Sequence, residues 1–436
     1  MDILVIGGGP SGMMSAYCAS KNNKNKVYLY EKNEKLGKKL FITGKGRCNV
    51  TNMNEFDTII QNITRNKKFM YSSLHNFSNK ELYNFLEEKG CKLKIERGNR
   101  VFPLSDKSYS VTDALKKAMN EENVYIKLKY EVVDIKKVEQ GEFNSKFEVQ
   151  YKNNNDTNNE IKKSYFDKVI IATGGISYPQ TGSTGDGYKF AKKFGHNIIK
   201  LYPSLVGIVI RNLINDDINT LQGLTLKNVS IKLYHKDSKQ KIIFKDFGEM
   251  LFTHYGISGP IVLSLSSFLS DKEDIKDYRI DIDLKPALSF TELDKRIIRD
   301  FSKYQNKELK NALIDLLPQK IILSIIYKLD CVCKYKNNSI GNKKVCDITK
   351  DERKELVNMI KEFKILPIEL KSFDEAIITK GGIDCNEINP KTMESKLVKG
   401  LYFAGEVIDV DCLTGGYNLT IAFSSAYSAG SSVSNY

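Results

Sequence analysis

An α/β fold built on a parallel sheet with a nucleotide-binding turn is predicted by three stretches of this 436-residue chain. DILVI at 2–6 runs without a gap into GGGPSG at 7–12 and a helix of small residues, SGMMSAYCAS. DKVIIATGG at 167–175 and GLYFAGEVIDV at 400–410 repeat the pattern of a short apolar run ending in small residues. Apolar runs of this length, punctuated by glycine, suit strands covered on both faces.

The first element gives the sharpest reading. Gly7 allows the tight turn, Gly9 lets the backbone approach a pyrophosphate, and Gly12 lets helix and strand pack closely. The helix that begins with Pro10 and Ser11 offers free N–H groups and the positive end of its dipole to an anion. The second strand, VYLY at 27–30, ends at Glu31, where an acid can hydrogen-bond a ribose hydroxyl, and Lys32 follows it. Strand, glycine turn, helix and distal acid together predict dinucleotide binding.

The later elements indicate which dinucleotide. Both later runs resemble strand ends that FAD proteins use: Ala172, Thr173 and Gly174 close the second, and Gly405 with Glu406 closes the third, where that likeness implies an acid reaching a ribityl chain or a pyrophosphate. CLTGGYNLTIAFSSAYSAG at 412–430 is again a glycine turn, Gly415 and Gly416, leading through Tyr417 and Asn418 into a small-residue helix whose N-terminus can face a flavin ring. A nicotinamide-only enzyme does not need its last residues to return to the first domain, so FAD is the expected cofactor. No second strand–GxGxxG–helix unit is evident: GSTGDG at 182–187 has different glycine spacing. NAD(P)H, if it is the reductant, is therefore expected to dock transiently.

Several blocks of the chain, taken together, resemble the bacterial BaiN/YhiN-type FAD-dependent oxidoreductases. They are GGGPSG, GKKLFITGKGRCNVTN at 37–52, RVFPLSDKSYSVTDAL at 100–115, ATGGISYPQTGSTGDGYKFAKKFGH at 172–196, GEMLFTHYGISGPIVLSLS at 248–266 and NPKTMESKLVKGLYFAGEVIDVDCLTGGYN at 389–418. That resemblance implies a discontinuous, Rossmann-like, two-dinucleotide-binding FAD domain at 1–200 and 373–436. It also implies a β-rich, barrel-like insert at 201–285 and 346–372, and a small helical insert at 286–345. The bare sequence agrees: NVSIKLYH and KIIFKDFGEMLFTH alternate as half-exposed strands, and LDKRIIRDF, KNALIDLLPQKIILSIIYKL and ERKELVNMIKEF carry apolar residues at helical spacing. Cys412 departs from the pattern, standing where the resemblance leads one to expect a glycine before TGGYN.

The resemblance also places residues 38–49 beside the FAD. ITGKGRCNVTN at 42–52 is too polar and glycine-rich for a buried strand or regular helix and reads as a shaped loop. Lys38, Lys39 or Arg47 can offset pyrophosphate charge, and Gly44 and Gly46 permit close backbone approach. Arg47 and Asn49 can set N–H donors near the edge of the ring where reduction builds negative charge, and Val133 joins the expected cofactor contacts. Cys48 is either a proton donor at the flavin face or a packed thiol, and Cys412 poses the same choice.

Composition bounds the partners. The net charge of +14 suits a polyanion, yet lysines far outnumber arginines and Asn-rich runs such as NNNDTNNE at 153–160 suggest a compositional bias. Eight cysteines without secretory context read as reduced thiols, and Cys331, Cys333 and Cys346 lack zinc-site spacing, so no metal is expected. No run approaches the length of a membrane span, which predicts a cytoplasmic protein with no membrane partner. Family members are credited with reducing steroid enones and with making dihydrouridine in large-subunit ribosomal RNA. Both reactions saturate a double bond conjugated to a carbonyl, and the charge favours 23S rRNA as substrate over a small molecule. Tyr178, Tyr417 and His254 are candidates to stack on a flipped uridine or to supply a proton. The rival readings are a small-molecule flavin reductase of the enone or steroid type, an amine oxidase, and a flavin-binding RNA-associated protein with little turnover.

Overall fold

The computed structural model describes residues 1–140, 144–156, 160–211, 221–236, 241–272, 274–335 and 339–434; part of the Asn-rich run, 157–159, lies outside the described residues. The chain forms two compact units, Met1–Ser204 with Ser372–Tyr436, and Leu205–Lys371.

The first unit is built on a five-stranded sheet in the order Leu401–Phe403, Lys168–Ile171, β1 (Asp2–Ile6), β2 (Lys26–Glu31) and Tyr125–Leu128. Every neighbouring pair is parallel, with Ile3 to Ile6 opposite Lys168 to Ile171 and Val169 to Ile171 opposite Leu401 to Phe403. The apolar runs explain this: Leu4, Val5, Ile170, Ile171 and Phe403 are all fully buried, as a parallel sheet with helices on its faces requires. The helix α1 (Pro10–Ser20) crosses the C-terminal helix Tyr417–Ser434 closely, and small residues make that possible. A Cβ on Gly430 would lie 2.5 Å from the Ser15 carbonyl oxygen, and Ser15 Oγ donates to the Ala426 carbonyl at 3.2 Å.

Among the described residues, this unit also carries three antiparallel sheets. Tyr130–Gln140, Asn144–Asn153 and Ile161–Phe166 form a meander, in which Val133 is the unpaired residue of a bulge between Val132 and Asp134. Thr51–Asn52, Arg100–Pro103 and Leu93–Glu96 form a small sheet, and Ile198–Ser204 pairs with Ile378–Ile383.

The second unit carries, among the described residues, a seven-stranded antiparallel sheet. Its edge strands, Phe363–Ile365 and Pro367–Leu370, are separated in the chain only by Leu366, so the sheet curls back on itself. Thr225–His235 and Ile242–Phe252 pair within it, as their alternating pattern leads one to expect. The helices Phe290–Lys303 and Lys350–Lys361 each start with a capping box, Ser289 with Glu292 and Thr349 with Glu352, and Pro318 sets the start of Gln319–Val332. Among the described residues no helix is long and apolar enough to cross a membrane.

Candidate functional site

The glycine turn after β1 is shaped by close backbone packing. Gly7 has φ +104°, its N–H donates to the Tyr30 carbonyl at 2.8 Å, and a Cβ there would sit 2.6 Å from the Ala172 oxygen. At Gly12 a Cβ would lie 1.7 Å from the Gly7 oxygen, so only glycine lets the helix rest on the strand. Gly9 differs: nothing lies within 4 Å of a Cβ built on it. It is the N-cap of α1, no side chain caps the helix, and Pro10 occupies the first turn. The first-turn amides carry the positive end of the helix dipole, and Gly9 leaves the approach beside them clear of a side chain.

Glu31 at the end of β2 is buried and braces this turn. One carboxylate oxygen accepts from Gly8 N at 2.6 Å, and the other accepts from Asn33 N at 2.8 Å and Asn33 Nδ2 at 2.6 Å. Lys32 pairs with Asp186 at 2.7 Å, and Lys38 donates to Asn33 Oδ1 at 3.2 Å.

A second cluster forms where Glu406 meets three other segments of the chain. Glu406 Oε1 accepts from Ser177 Oγ at 2.9 Å and from Thr379 N at 2.8 Å, while Oε2 pairs with Lys39 Nζ at 2.8 Å. Thr379 Oγ1 accepts from the Ile176 and Ser177 amides, and a Cβ on Gly175 would lie 2.3 Å from it. Gly405, at φ +77°, abuts α1: a Cβ there would sit 2.0 Å from Ser11 Oγ. Gly174 also has a positive φ, and the neighbouring Thr173 Oγ1 is buried with no partner among the described residues.

The loop at 42–52 and the TGGYN turn, more than 360 residues apart, close on each other. Leu40–Gly46 is a 3₁₀ turn, and Gly46 and Cys48 have φ of +85° and +60°. Asn52 Nδ2 donates to the Gly415 carbonyl at 3.0 Å, Thr51 Oγ1 lies 2.7 Å from Thr420 Oγ1, and a Cβ on Gly416 would be 2.4 Å from the Thr51 oxygen. Asn418 clasps the turn, accepting from Cys412 N at 2.9 Å and donating to the Cys412 carbonyl at 2.9 Å. Tyr417 Oη accepts from Asn54 Nδ2 at 2.8 Å, and burial raises the phenol above its ordinary value. Asn49 Oδ1 is buried without a donor among the described residues.

The structure assigns intramolecular partners to several residues that the sequence offers to a ligand. Arg47 pairs with Glu96 and Asp106 and lies 4.2 Å from the centre of the Phe102 ring, and Lys39 is held by Glu406. Cys48 and Cys412 are fully buried; desolvation pushes the Cys48 thiol up to about 12 and Cys412 well above its ordinary value. Tyr178 is half-buried at φ +50°, its amide donating to the Phe373 carbonyl at 3.0 Å. His254 belongs to the second unit, exposed in the turn after Ile242–Phe252 with its ring edge-on to Tyr255 at 5.0 Å.

A pair of buried acids escaped the sequence reading. Thr64 Oγ1 donates to Asp411 Oδ2 at 2.6 Å, Arg65 to Asp409 Oδ2 at 3.0 Å, and Asn66 Nδ2 to the Asp409 carbonyl at 2.6 Å. Burial raises both carboxyls, with Arg65 opposing the shift at Asp409 and Thr64 opposing it at Asp411. The signal was the run EVIDVD, where acids alternate with apolar residues beside a buried strand. Among the described residues no group of three or more His, Cys, Asp or Glu is arranged to hold a metal.

The chain is similar to several known proteins. Residues 1–432 match the family described as HI0933-like protein Rossmann domain. A Haemophilus influenzae protein named ribosomal RNA dihydrouridine synthase is 30% identical over 431 residues, which cover 99% of this chain and 98% of the relative. A Clostridium scindens protein named 3-dehydro-bile acid delta(4,6)-reductase is 27% identical over 431 residues, 98% of this chain and 97% of the relative. Among solved structures, FrdA of the E. coli quinol fumarate reductase superposes with a TM-score of 0.50 at 14% identity, covering 100% of this chain and 70% of that one, a likeness of fold.

Proposed function

The chain belongs to the HI0933-like Rossmann-domain family, and from that premise we propose that it is a cytoplasmic FAD-dependent oxidoreductase that saturates a carbon–carbon double bond conjugated to a carbonyl. The substrate we propose is uridine in 23S ribosomal RNA, with NAD(P)H as a transiently docking reductant. The observation that carries this reading is the meeting of the opening glycine turn with the C-terminal segment: Gly405 against Ser11, and TGGYN against the loop at 42–52.

The residues present fit the cofactor. The uncapped α1 N-terminus and the open approach at Gly9 suit a pyrophosphate, and Glu31 closes the end of β2 where a ribose is expected. Because Lys39 and Arg47 are tied to carboxylates, the main-chain amides at Ser11 and Gly12 carry most of the anion binding. The Val133 bulge, Ala172 to Gly174 and the Gly405–Glu406 turn supply the remaining contacts. Asn49 Oδ1 is a buried acceptor without a donor among the described residues, and Gly415 and Gly416 bring main chain close; an isoalloxazine edge offers the matching N–H. When bound, the flavin supplies hydride chemistry.

The chain's own contribution to the reaction is a proton. Saturating a conjugated double bond requires protonation of the carbon next to the carbonyl. Tyr417 suits this role: its oxygen accepts from Asn54, which leaves its own O–H free to donate, and a phenol is protonated at neutral pH, burial raising this one further above its ordinary value. The burial of Cys48 and Cys412 favours packed-thiol roles for both.

Two relatives' names favour different substrates, and one set of experiments separates them. Mass spectrometry of 23S rRNA from a deletion strain is expected to show loss of a dihydrouridine; an unchanged level, with the purified protein reducing a steroid enone, would turn the assignment to the small molecule. Tyr417→Phe should keep its flavin and lose about 10²- to 10⁴-fold in turnover, the range of a general acid. Protein that stays colourless after reconstitution with FAD defeats the whole reading.

A further inference from the structure

We infer that the hairpin tip at Arg97–Arg100 is a phosphate-binding arm that docks the substrate RNA beside the TGGYN turn; this rests on the RNA reading above. The tip joins Leu93–Glu96 to Arg100–Pro103 and is preset by two left-handed residues, Gly98 at φ +76° and Asn99 at φ +57°. Main-chain and side-chain bonds pin it to the loop that meets TGGYN. Met53 N donates to the Asn99 carbonyl at 2.7 Å, Asn52 Nδ2 to the Gly98 carbonyl at 3.0 Å, and Asn99 Nδ2 to Asn54 Oδ1 at 2.7 Å. Asn54 in turn donates to Tyr417 Oη, so one hydrogen-bonded chain links the tip to the tyrosine.

The charge on this tip is uncommitted. The chain has 67 Lys and Arg residues, of which nine are arginine. Arg47, Arg65, Arg279, Arg296, Arg299 and Arg353 all face carboxylates. Arg97 is exposed with no carboxylate partner among the described residues, and the Arg100 side chain donates to the Arg97 carbonyl at 3.0 Å and lies 5.9 Å from the centre of the Phe102 ring, likewise with no carboxylate partner among the described residues. Nothing lies within 4 Å of a Cβ on Gly98, so an approaching backbone meets no obstruction there. Arginine presents a planar fork matched to phosphate, and a rigid tip loses little entropy on binding. Two such forks, linked through Asn99 and Asn54 to Tyr417, match a ribose–phosphate backbone.

The test uses the flavin-loaded full chain and a fluorescein-labelled RNA hairpin with a uridine-rich loop, read by anisotropy from 50 to 200 mM salt. Arg97→Ala with Arg100→Ala is expected to weaken binding about tenfold and to flatten the log–log salt slope by about 0.7 for each lost phosphate contact, with flavin content unchanged. A double variant that binds RNA with wild-type affinity and slope overturns the arm and leaves the RNA reading standing. Wild-type protein that binds no RNA overturns both. Equal loss of binding to a labelled polyglutamate peptide overturns the RNA assignment in favour of an acidic protein. Arg97→Lys with Arg100→Lys should recover part of the affinity, which a purely structural effect of the alanines would not predict.

Discussion

Replacing Gly9 by alanine should separate the stability of the fold from its grip on the cofactor. Gly9 has φ −75° and ψ −177°, a conformation open to any residue, and an added Cβ meets nothing within 4 Å. Without cofactor, Gly9→Ala should therefore be close to neutral: the lower entropy of the unfolded chain contributes about 0.4–1 kcal/mol, alanine's poorer fit at an N-cap costs a similar amount, and Tm should move by no more than about 2 °C in either direction. The same methyl projects toward the approach proposed for the pyrophosphate. Losing one charge-assisted hydrogen bond, about 1.5–3 kcal/mol, and part of the helix-dipole attraction, about 0.3–1 kcal/mol, gives roughly 2–4 kcal/mol, or about a 30- to 900-fold weaker affinity. Fluorescence titration of apoprotein with FAD measures it, beside a thermal melt of the same sample. Gly12→Ala is the contrast: its Cβ would lie 1.7 Å from the Gly7 oxygen, so α1 must move and both stability and binding should fall. A Gly9→Ala protein that binds FAD within threefold of wild type refutes the assigned role of this turn.

Other outcomes follow from the same geometry. Glu406→Gln leaves Lys39 without its carboxylate in a site where both side chains are about four-fifths covered, so urea unfolding should show a loss of about 1–3 kcal/mol; a change under about 0.5 kcal/mol would contradict the hub. Burial raises the Asp411 carboxyl, so its contribution to stability is full below the unfolded value near pH 4 and falls as pH rises through the folded one. Asp411→Asn, which cannot ionise, should gain in urea midpoint relative to wild type across that window, and the opposite trend would sink the argument. Iodoacetamide at pH 8 should label the exposed Cys331 and Cys346 and spare Cys48, whose thiol is pushed up to about 12 by burial; comparable labelling of Cys48 in native protein, read by peptide mass mapping, would show that the loop opens.

Much of the scaffold was legible because local rules set it. DILVI followed by GGGPSG can form little other than a buried strand, a tight turn and a closely packed helix, and Gly7 and Gly12 show the backbone contacts that demand glycine. The alternating segments of the second unit pair as strands, and the segments with apolar residues at helical spacing form the helices Phe290–Lys303, Gln319–Val332 and Lys350–Lys361. The electrostatics were not legible in the same way. Arg47 reads as an anion ligand from its glycine-rich surroundings, but Glu96 and Asp106 reach it only because the Leu93–Pro103 hairpin folds over that loop. Glu406 reads as an acid for the cofactor, and its partners Lys39, Ser177 and Thr379 come from three segments that only the tertiary fold assembles. Asp409 and Asp411 were hidden by apolar neighbours, and Thr64 to Asn66, which hold them, carry no motif.

The position of Leu401–Phe403 at the margin of the parallel sheet has a bearing on biosynthesis. Its partner Lys168–Ile171 leaves the ribosome more than 230 residues earlier, so at about 5–20 residues per second that neighbour keeps an unpaired edge for some tens of seconds. Throughout this interval the intervening unit, one continuous stretch of chain, can be completed first. The parallel sheet can thus be completed only after the intervening unit has been made, and a truncation that removes Leu401–Phe403 should cost more than loss of the same number of residues from a surface loop.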